Sequence, residues 1–354
     1  MFPIFDGHND VLLRLAKKNE PDGGIASFLE GDGLGQLDLP RAREGGFVGG
    51  LFAVFVPPNE MEGDLDALMR APQYDAPLPM PTELSYAQAY ALQLVALLMR
   101  IARKSGDAVR VCHDAKELRQ TIKDGALATV LHFEGAEPID TEFKMLEALY
   151  AGGLRSLGIV WSRPNLFGHG VPFRFPSSPD TGPGLTDAGK ALVKACNELG
   201  ILIDLSHITE AGFWDVASLS SAPLVASHSN AHVLCSHSRN LTDKQLAAIR
   251  ERGGLVGVNF ATCFLRSDGR IDGNTTLETV VRHTDHLIEK LGVEGVGFGS
   301  DFDGALVPQD MGTVAGLPKL VAALRAAGYD DATLKLLCSE NWLRMLERTW
   351  SARA

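Results

Sequence analysis

The sequence has few cysteines, and their spacing suggests no pairing. Its 354 residues include only five, an odd and widely scattered set: Cys112, Cys196, Cys235, Cys263 and Cys338. No Cys-x-x-Cys pair occurs, so the spacing predicts neither a disulfide framework nor a thiolate zinc site. We expect most of these residues to be buried thiols.

Basic runs are absent as well. The chain carries 33 basic and 44 acidic residues, a formal net charge of -11, and no basic stretch is interleaved with aromatic residues. A protein that binds nucleic acid or an anionic membrane surface needs a concentrated positive patch. We therefore expect no nucleic-acid partner and no membrane partner.

Long hydrophobic runs are missing too. No uninterrupted apolar run reaches the length of a membrane-spanning helix. The first ten residues already contain an apolar strand and polar candidate ligands, a pattern unlike a signal peptide. With a hydrophobic content of 45%, ample for a packed core, the sequence is that expected of a soluble cytoplasmic protein.

What the sequence does contain is an alternation of short apolar segments with amphipathic helices. Such an alternation indicates βα units in a parallel sheet. Eight such units favour a (β/α)8 TIM-type barrel over an open sheet, which usually has fewer strands. The eight predicted strands begin near Phe5, Phe47, Ala126, Leu154, Ile201, Leu224, Leu255 and Val296.

No linker, internal repeat or low-complexity segment divides the chain. We therefore expect one barrel domain over residues 1–354, with loop insertions near 56–82 and 162–184. Proline is frequent in the first insertion, and phenylalanine and proline in the second. Both are expected to wall the pocket. Thr82 is a candidate N-cap for a long helix that runs to about Lys104.

Metal-competent side chains stand where five of the eight strands are expected to end. Active sites of such barrels lie at the C-terminal ends of the strands, and imidazoles and carboxylates bind divalent metals. Each residue alone could equally be a hydrogen-bonded polar group that ends a strand. As a set they indicate a metal site: His8, Asp10, Glu134, His207, His228 and Asp301.

Three imidazoles and three carboxylates exceed the needs of one zinc ion, which usually takes about three protein ligands and a water. Two metals that share one carboxylate would use them all. No lysine ends strand four, so a modified lysine is not expected to bridge the metals. Glu134 is the natural bridging ligand.

These residues resemble the membrane (renal) dipeptidase family, peptidase family M19, in the amidohydrolase superfamily. The resemblance extends from His8 to about Arg344, and Asp10 separates the chain from relatives that carry His-x-His on strand one. The motifs that carry it are His8-x-Asp10, Glu134-Gly135, Leu-x-His around His207, Ser-His-Ser around His228, Arg239-Asn240, Gly-x-Asp-Phe-Asp-Gly around Asp301, and Asn341-x-x-Arg344.

The resemblance implies a dipeptidase with two zinc ions per chain. His8, Asp10 and Glu134 would hold one zinc, and Glu134, His207 and His228 the other, with a hydroxide between the metals. A homodimer is also possible on the same ground. Because family members often accept a D-residue at the second position, an L-Xaa-D-Xaa dipeptide is a candidate substrate.

The resemblance also implies roles for two further residues. Asp301 would take a proton from the attacking water and pass it to the leaving amine. Arg239 would bind the free carboxylate of the dipeptide, a task that suits its planar fork. Without the resemblance, the alternative interpretation of Arg239 is a surface residue that caps a helix.

The chain departs from the family pattern at one position. Characterised mammalian members have a histidine at the end of strand four that contacts the substrate, whereas this chain has Trp161. His169, in the following loop, could reach into the site or could be a solvated loop residue. Trp161 and His169 are thus candidate substrate contacts, while His132, Asp303 and the pair Asp6 and Asp204 are candidates for supporting hydrogen bonds.

Two other functions stay open at this point. The same metals could serve another amidohydrolase-type reaction, on lactams or N-acyl amino acids. The chain could also be a catalytically silent metal-binding barrel, although it retains all the candidate ligands together with Asp301 and Arg239.

Overall fold

A computed structural model describes residues 1–18, 20, 22–58 and 64–351. Eight parallel strands, each paired with the next, close into a barrel where the first strand pairs with the last at Asp6 and Phe298. The predicted (β/α)8 barrel is confirmed. Its strands are β1 Ile4–Asn9, β2 Phe47–Phe55, β3 Leu127–Glu134, β4 Leu154–Gly158, β5 Leu202–Asp204, β6 Val225–Ala226, β7 Leu255–Asn259 and β8 Val296–Gly299.

Helices follow the strands around the outside of the barrel. Threonine side chains cap three of them, at Thr186, Thr209 and Thr242, each accepting a hydrogen bond from a backbone N–H in the first turn. The helices are α1 Val11–Lys17, α2 Ile25–Leu29, α3 Leu39–Gly45, α4 Leu65–Leu68, α5 Leu84–Lys104, α6 Ala115–Lys123, α7 Lys144–Ala151, α8 Asp187–Leu199, α9 Glu210–Leu219, α10 Asp243–Glu251, α11 Thr262–Leu265, α12 Leu277–Leu291, α13 Leu317–Ala326, α14 Asp331–Lys335 and α15 Asn341–Ser351.

The barrel strands are buried on both faces, which explains why they read as continuous apolar runs. Trp342, fully buried on α15, packs against the inner strands, and its indole N–H donates to the Phe298 carbonyl at 2.8 Å. A side chain at Gly7 would come within 2.3 Å of this ring, so glycine is required there. Asn341 beside it donates to the Val293 and Val296 carbonyls at the start of β8.

The two predicted insertions contact each other above the barrel. Tyr74–Asp75 from the first pairs antiparallel with Arg174–Phe175 from the second. The Ala76 N–H extends this ribbon by donating to the Phe173 carbonyl at 2.9 Å. The insertions therefore form one continuous wall at the C-terminal end of the strands.

The long helix starts one residue later than predicted. Glu83, not Thr82, is at its N-cap, without a side-chain cap, because the backbone of Glu83 is the last in extended conformation. Asp38 caps α3 by accepting from the Arg41 N–H, so this helix starts at Leu39. Near the C-terminus, a π-helical turn at Leu336–Glu340 separates α14 from α15.

One helix among the described residues, α5, is long and apolar enough to cross a membrane by length and composition alone. A core helix of a soluble protein passes the same test. The buried face of α5, which includes Leu94, Leu98 and Ile101, belongs to the main hydrophobic core. Absence of a membrane partner remains a prediction from the sequence.

Candidate metal centre

All five predicted metal ligands converge at the C-terminal ends of their strands, around the Glu134 carboxylate. Glu134 Oε1 lies 2.9 Å from His207 Nε2 and 3.6 Å from His228 Nε2. Its other oxygen, Oε2, lies 3.8 Å from His8 Nε2, which is in turn 3.3 Å from Asp10 Oδ2. The two oxygens of Glu134 thus face two groups of ligands, as a bridging carboxylate would.

Asp301 joins this cluster. The ligand atoms of His8, Asp10 and Asp301 lie within 4.8 Å of one another, as do those of His8, Glu134 and His228. The grouping therefore differs from the predicted allotment in two respects: Asp301 lies as close to His8 and Asp10 as a ligand would, and His8 also groups with His228. The Asp301 carboxylate also accepts a hydrogen bond from Asn259 Nδ2 at 2.9 Å.

Unusual backbone conformations orient two of these side chains. His207 and Asp301 have φ angles of 68° and 62°, in the left-handed region that residues other than glycine adopt at an energetic cost. His207 stands three residues after β5 and Asp301 two residues after β8, where a left-handed residue turns the chain sharply. The turn lets each side chain point into the barrel mouth.

Hydroxyl groups behind the imidazoles fix their orientation. Ser227 Oγ donates its proton to Asp204 Oδ2 at 2.6 Å. In its 2.7 Å contact with His228 Nδ1, the same hydroxyl oxygen therefore accepts a hydrogen bond. His228 therefore carries its proton on Nδ1, and its Nε2 lone pair faces Glu134. Ser162 Oγ similarly lies 2.8 Å from His207 Nδ1. Such outer hydrogen bonds are typical of metal-binding histidines.

The charges of the cluster are poorly compensated by protein groups alone. Burial raises the pKa of Glu134 and of Asp301, and it lowers the pKa of His207 and of His228 well below the usual range. Burial also acts to lower the pKa of His8, but the Glu134 and Asp10 carboxylates outweigh it and raise that pKa to about 10. The cluster thus favours bound positive charge.

The donor set fits divalent metals. His207 Nε2 and His228 Nε2 lie 3.1 Å apart and both face Glu134 Oε1, so three atoms that can accept a hydrogen bond converge on one point. A divalent cation satisfies all three at once, and imidazole with carboxylate is the ligand mixture that catalytic zinc prefers.

Arg239 lies beside the cluster. It is buried, its Nη2 donates to the His228 carbonyl at 3.1 Å, and its guanidinium lies 5.3 Å from the centre of the Phe264 ring. Its Nε has no hydrogen-bond partner among the described residues. A buried guanidinium with an unused donor is suited to an anionic ligand group.

A cavity of about 150 Å³ opens over the cluster. Asp10, Glu134, His207 and Asp301 form its floor, and its walls include Phe55, Trp161, Phe173, Cys263, Phe264 and Leu306. The Trp161 ring lies 5.9 Å from that of His207 and 4.9 Å from that of Phe55. Trp161 is therefore placed to contact a molecule in this cavity.

His169 lies elsewhere. It is not among the residues that line this cavity, and its Nδ1 lies 3.2 Å from the Gly184 carbonyl. The reason is backbone pairing: Val171 donates to the His207 carbonyl and Thr209 to the His169 carbonyl, so the loop runs along the segment after β5. This pairing turns the His169 ring towards Gly184.

Three of the residues expected to support the ligands form hydrogen bonds near the cluster, with partners that are not themselves predicted ligands. Asp6, whose pKa burial raises to about 7, accepts from the backbone and hydroxyl of Ser300 at 2.7 and 2.8 Å. Asp303 accepts from Arg14 Nε at 3.0 Å. His132 Nδ1 lies 2.9 Å from Ser156 Oγ. Asn259 was not predicted, although it too is a polar residue that ends a strand.

The barrel and its cluster together define a class, the metal-dependent hydrolases with a (β/α)8 fold. A sequence model of the family described as "Membrane dipeptidase (Peptidase family M19)" matches residues 1–354. The chain belongs to this family of metallopeptidases, which confirms the resemblance and makes the protein a hydrolase of the dipeptidase type.

Similar proteins agree with this assignment. The chain is 51% identical to an uncharacterised protein in the pqqA 5′ region of Klebsiella pneumoniae, over 73% of this chain and 95% of that one. A metallopeptidase from Rhodobacter sphaeroides, solved with a phosphinate mimic of the dipeptide L-Ala-D-Ala, is 53% identical over 99% of both chains, with a TM-score of 0.96. The structure of the dipeptidase AC is 52% identical over 100% of this chain and 99% of its own, with a TM-score of 0.95.

Proposed function

We propose that this protein is a dipeptidase that uses two zinc ions to hydrolyse dipeptides with free termini. The observation that carries the proposal is the position of Glu134, one oxygen of which faces His207 and His228 and the other His8. The Rhodobacter sphaeroides relative, which bound a mimic of L-Ala-D-Ala, supports an L,D-dipeptide as the substrate.

His8, Asp10 and Glu134 would hold one zinc, and Glu134, His207 and His228 the other. Bound there, two zinc ions supply a water of lowered pKa and polarise the carbonyl of the scissile bond. The protein's own task is to present these ligands in a fixed geometry, and the Ser227 and Ser162 hydroxyls do so for two imidazoles.

Asp301 is the proposed general base and acid. It lines the cavity floor, and Asn259 holds one of its oxygens by a hydrogen bond of 2.9 Å. In hydrolysis the Asp301 carboxylate accepts a proton from the attacking water and then donates it to the nitrogen of the leaving amine. The second step prevents the amine from leaving as an unstable anion.

Arg239 and Trp161 are the proposed substrate-binding residues. Arg239, with an unused Nε donor, would bind the substrate carboxylate. Trp161 would pack against the substrate where mammalian family members have a histidine. His169, the other candidate, lies outside the cavity, with its Nδ1 3.2 Å from the Gly184 carbonyl.

A substrate panel tests the proposal. L-Ala-D-Ala, L-Ala-L-Ala, N-acetyl-L-Ala and a small lactam would be assayed with zinc and with a chelator. We expect hydrolysis of the dipeptides alone, abolished by the chelator and restored by zinc. Hydrolysis of only the N-acylated compound or the lactam would favour the alternative amidohydrolase reaction, and no hydrolysis by zinc-loaded protein would favour a silent metal-binding barrel.

We also propose a cytoplasmic location and possible homodimers. The support for the location is the acidic composition without basic or long apolar runs. For the dimer it is the habit of the family alone. Cell fractionation and light scattering of the purified protein test the two points.

A further inference from the structure

A second and larger cavity adjoins the metal cavity. Its volume is about 850 Å³, against about 150 Å³ for the metal cavity. The two cavities share three wall residues, Leu65, Trp161 and Phe173. We call the larger one the outer cavity. It lies between the two insertions, beside α4 and the proline-rich segment 77–81.

Most side chains that line the outer cavity and remain free to contact a ligand are apolar. Its polar side chains mostly have partners already: Asp64 accepts from the Ala67 N–H at 3.1 Å, Asp75 pairs with Arg174 at 2.7 Å, and Ser162 contacts His207. The Thr82 hydroxyl has no partner among the described residues. The rest of the wall includes Leu65, Leu68, Leu78, Met80, Trp161 and Phe173.

A row of side chains that runs from Arg239 to Trp161 indicates how a bound dipeptide is oriented. The Arg239 guanidinium lies 5.3 Å from the Phe264 ring, Phe264 stacks on Phe173 at 6.1 Å, and Phe173 contacts Trp161 at 5.7 Å. Arg239 marks one end of this row and the outer cavity the other. With its carboxylate at Arg239, a dipeptide backbone, about 7 Å long when extended, directs its first residue towards Trp161.

The size of the metal cavity limits what else it can hold. At about 150 Å³, the metal cavity has less than a fifth of the volume of the outer cavity, which is about 850 Å³. It therefore suits the scissile bond and a small second residue, whereas the outer cavity has the size of an ordinary ligand pocket.

We propose that the outer cavity binds the side chain of the substrate's first residue, so that the preferred substrates combine a large apolar first residue with a small second one. This inference rests on the proposed dipeptidase function. Transfer of a large apolar side chain from water to such a wall favours binding by an amount that grows with its buried area.

The test compares kcat/KM for L-Ala-D-Ala, L-Phe-D-Ala and L-Ala-D-Phe. We expect L-Phe-D-Ala to exceed L-Ala-D-Ala by ~10-fold or more, and L-Ala-D-Phe to fall below both. Ala67→Trp, an exposed position on α4 that lines the outer cavity, should lower kcat/KM for L-Phe-D-Ala more than for L-Ala-D-Ala and so remove the advantage of L-Phe-D-Ala. Ala327→Trp, exposed at the end of α13 and remote from both cavities, is the matched control.

The inference would be overturned if the unaltered protein showed no preference for L-Phe-D-Ala. It would also be overturned if the preference survived both Ala67→Trp and Leu78→Asp. Faster cleavage of L-Ala-L-Ala-D-Ala than of any dipeptide would also overturn it, because the outer cavity would then hold a further residue. Failure of the proposed function looks different, since L-Ala-D-Ala itself would not be hydrolysed.

Discussion

Ser227 acts on the metal centre through His228. Its hydroxyl donates to Asp204 and accepts from His228 Nδ1, which fixes the ring so that Nε2 faces Glu134. If the centre holds zinc, Ser227→Ala should weaken zinc affinity ~10- to 100-fold, the usual effect of losing such a partner. Competition with a chromophoric chelator measures this.

Ser229 offers a matched control two residues away. It is equally buried, but its hydroxyl has no partner among the described residues. Ser229→Ala should therefore leave zinc affinity unchanged. Equal affinities in the two variants would show that Ser227 does not orient the ligand.

Asp301 can be tested against its neighbour Asp303, since both are buried carboxylates in left-handed conformation. Asp301→Asn should keep bound metal and lower kcat by ~10²- to 10⁴-fold, because an amide cannot carry the proton. Asp303→Asn breaks the contact with Arg14, so it should lower the free energy of unfolding by ~1–3 kcal/mol and leave kcat nearly unchanged. Metal content, kcat and thermal unfolding are the measurements, and normal turnover by Asp301→Asn would remove Asp301 from the mechanism.

Arg239 should act on binding more than on chemistry. Arg239→Lys keeps the charge but loses the two-pronged fork, so KM for L-Ala-D-Ala should rise ~10-fold or more with a smaller change in kcat. A dipeptide with an amidated C-terminus has no carboxylate for Arg239 to bind, so its KM should be the same in Arg239→Lys as in the unaltered protein. An unchanged KM for the free dipeptide would contradict this role.

The metal ligands could be predicted because each is a polar residue at the end of an apolar strand. Their supporting contacts could not. Ser162 reaches His207 across 45 positions of sequence, and Asn259 meets Asp301 across 42. These pairs depend on barrel closure and on turns with positive φ, which leave no local pattern in the sequence.

At the scale of elements, a buried histidine on α12 ties two site loops together. His283 Nδ1 accepts from the Ala231 N–H at 3.2 Å, and Nε2 lies 2.9 Å from the Leu265 carbonyl. Ala231 follows β6 and Leu265 follows β7. The helix thereby fixes the loops that carry Arg239 and Phe264.

Stability below pH 6.5 should depend on this residue. Burial lowers the pKa of His283 from 6.5 to about 4, so the unfolded chain binds a proton over this range that the folded protein excludes. Stability is therefore lost as the pH falls from 6.5 towards 4, by at most ~1.4 kcal/mol per pH unit for this one group. His283→Gln should lower stability at pH 7 and flatten this slope.

Urea unfolding at several pH values measures the slope. His286→Gln, on the same helix but at a surface pair with Asp243, is the control and should leave the slope close to that of the unaltered protein. An unchanged slope in His283→Gln would mean that His283 does not exclude a proton in the folded state.

Two of the helices that sequence analysis missed bury little. Helix α6 buries only Leu118 and Thr121, and α3 only Leu39, Ala42 and Gly45, so neither shows a long apolar stripe. The ribbon between the insertions has two residues in each strand, about a hundred positions apart. The barrel strands, in contrast, are buried on both faces and were all predicted.

At the scale of the whole molecule, metal should contribute to stability because its proposed ligands lie on or just after four strands spread around the barrel, β1, β3, β5 and β6. A cation bound by residues from His8 to His228 joins strands that are distant in sequence. Because the cation binds only the folded protein, its binding stabilises the folded state. At free zinc about 100-fold above Kd the gain is ~2.7 kcal/mol per site. Removal of zinc should therefore lower Tm by ~5 °C or more.

Calorimetry of the same preparation before and after dialysis against a chelator measures this change, and metal analysis of the starting material should give about two zinc ions per chain. Glu134→Gln provides the matched variant, because it keeps the size of the side chain but loses the charge that faces both groups of ligands. Its Tm should respond little to chelator. A chelator-insensitive Tm in the unaltered protein, together with less than one metal per chain, would mean that the cluster is held by hydrogen bonds and shared protons alone, and the two-zinc proposal would fail with it.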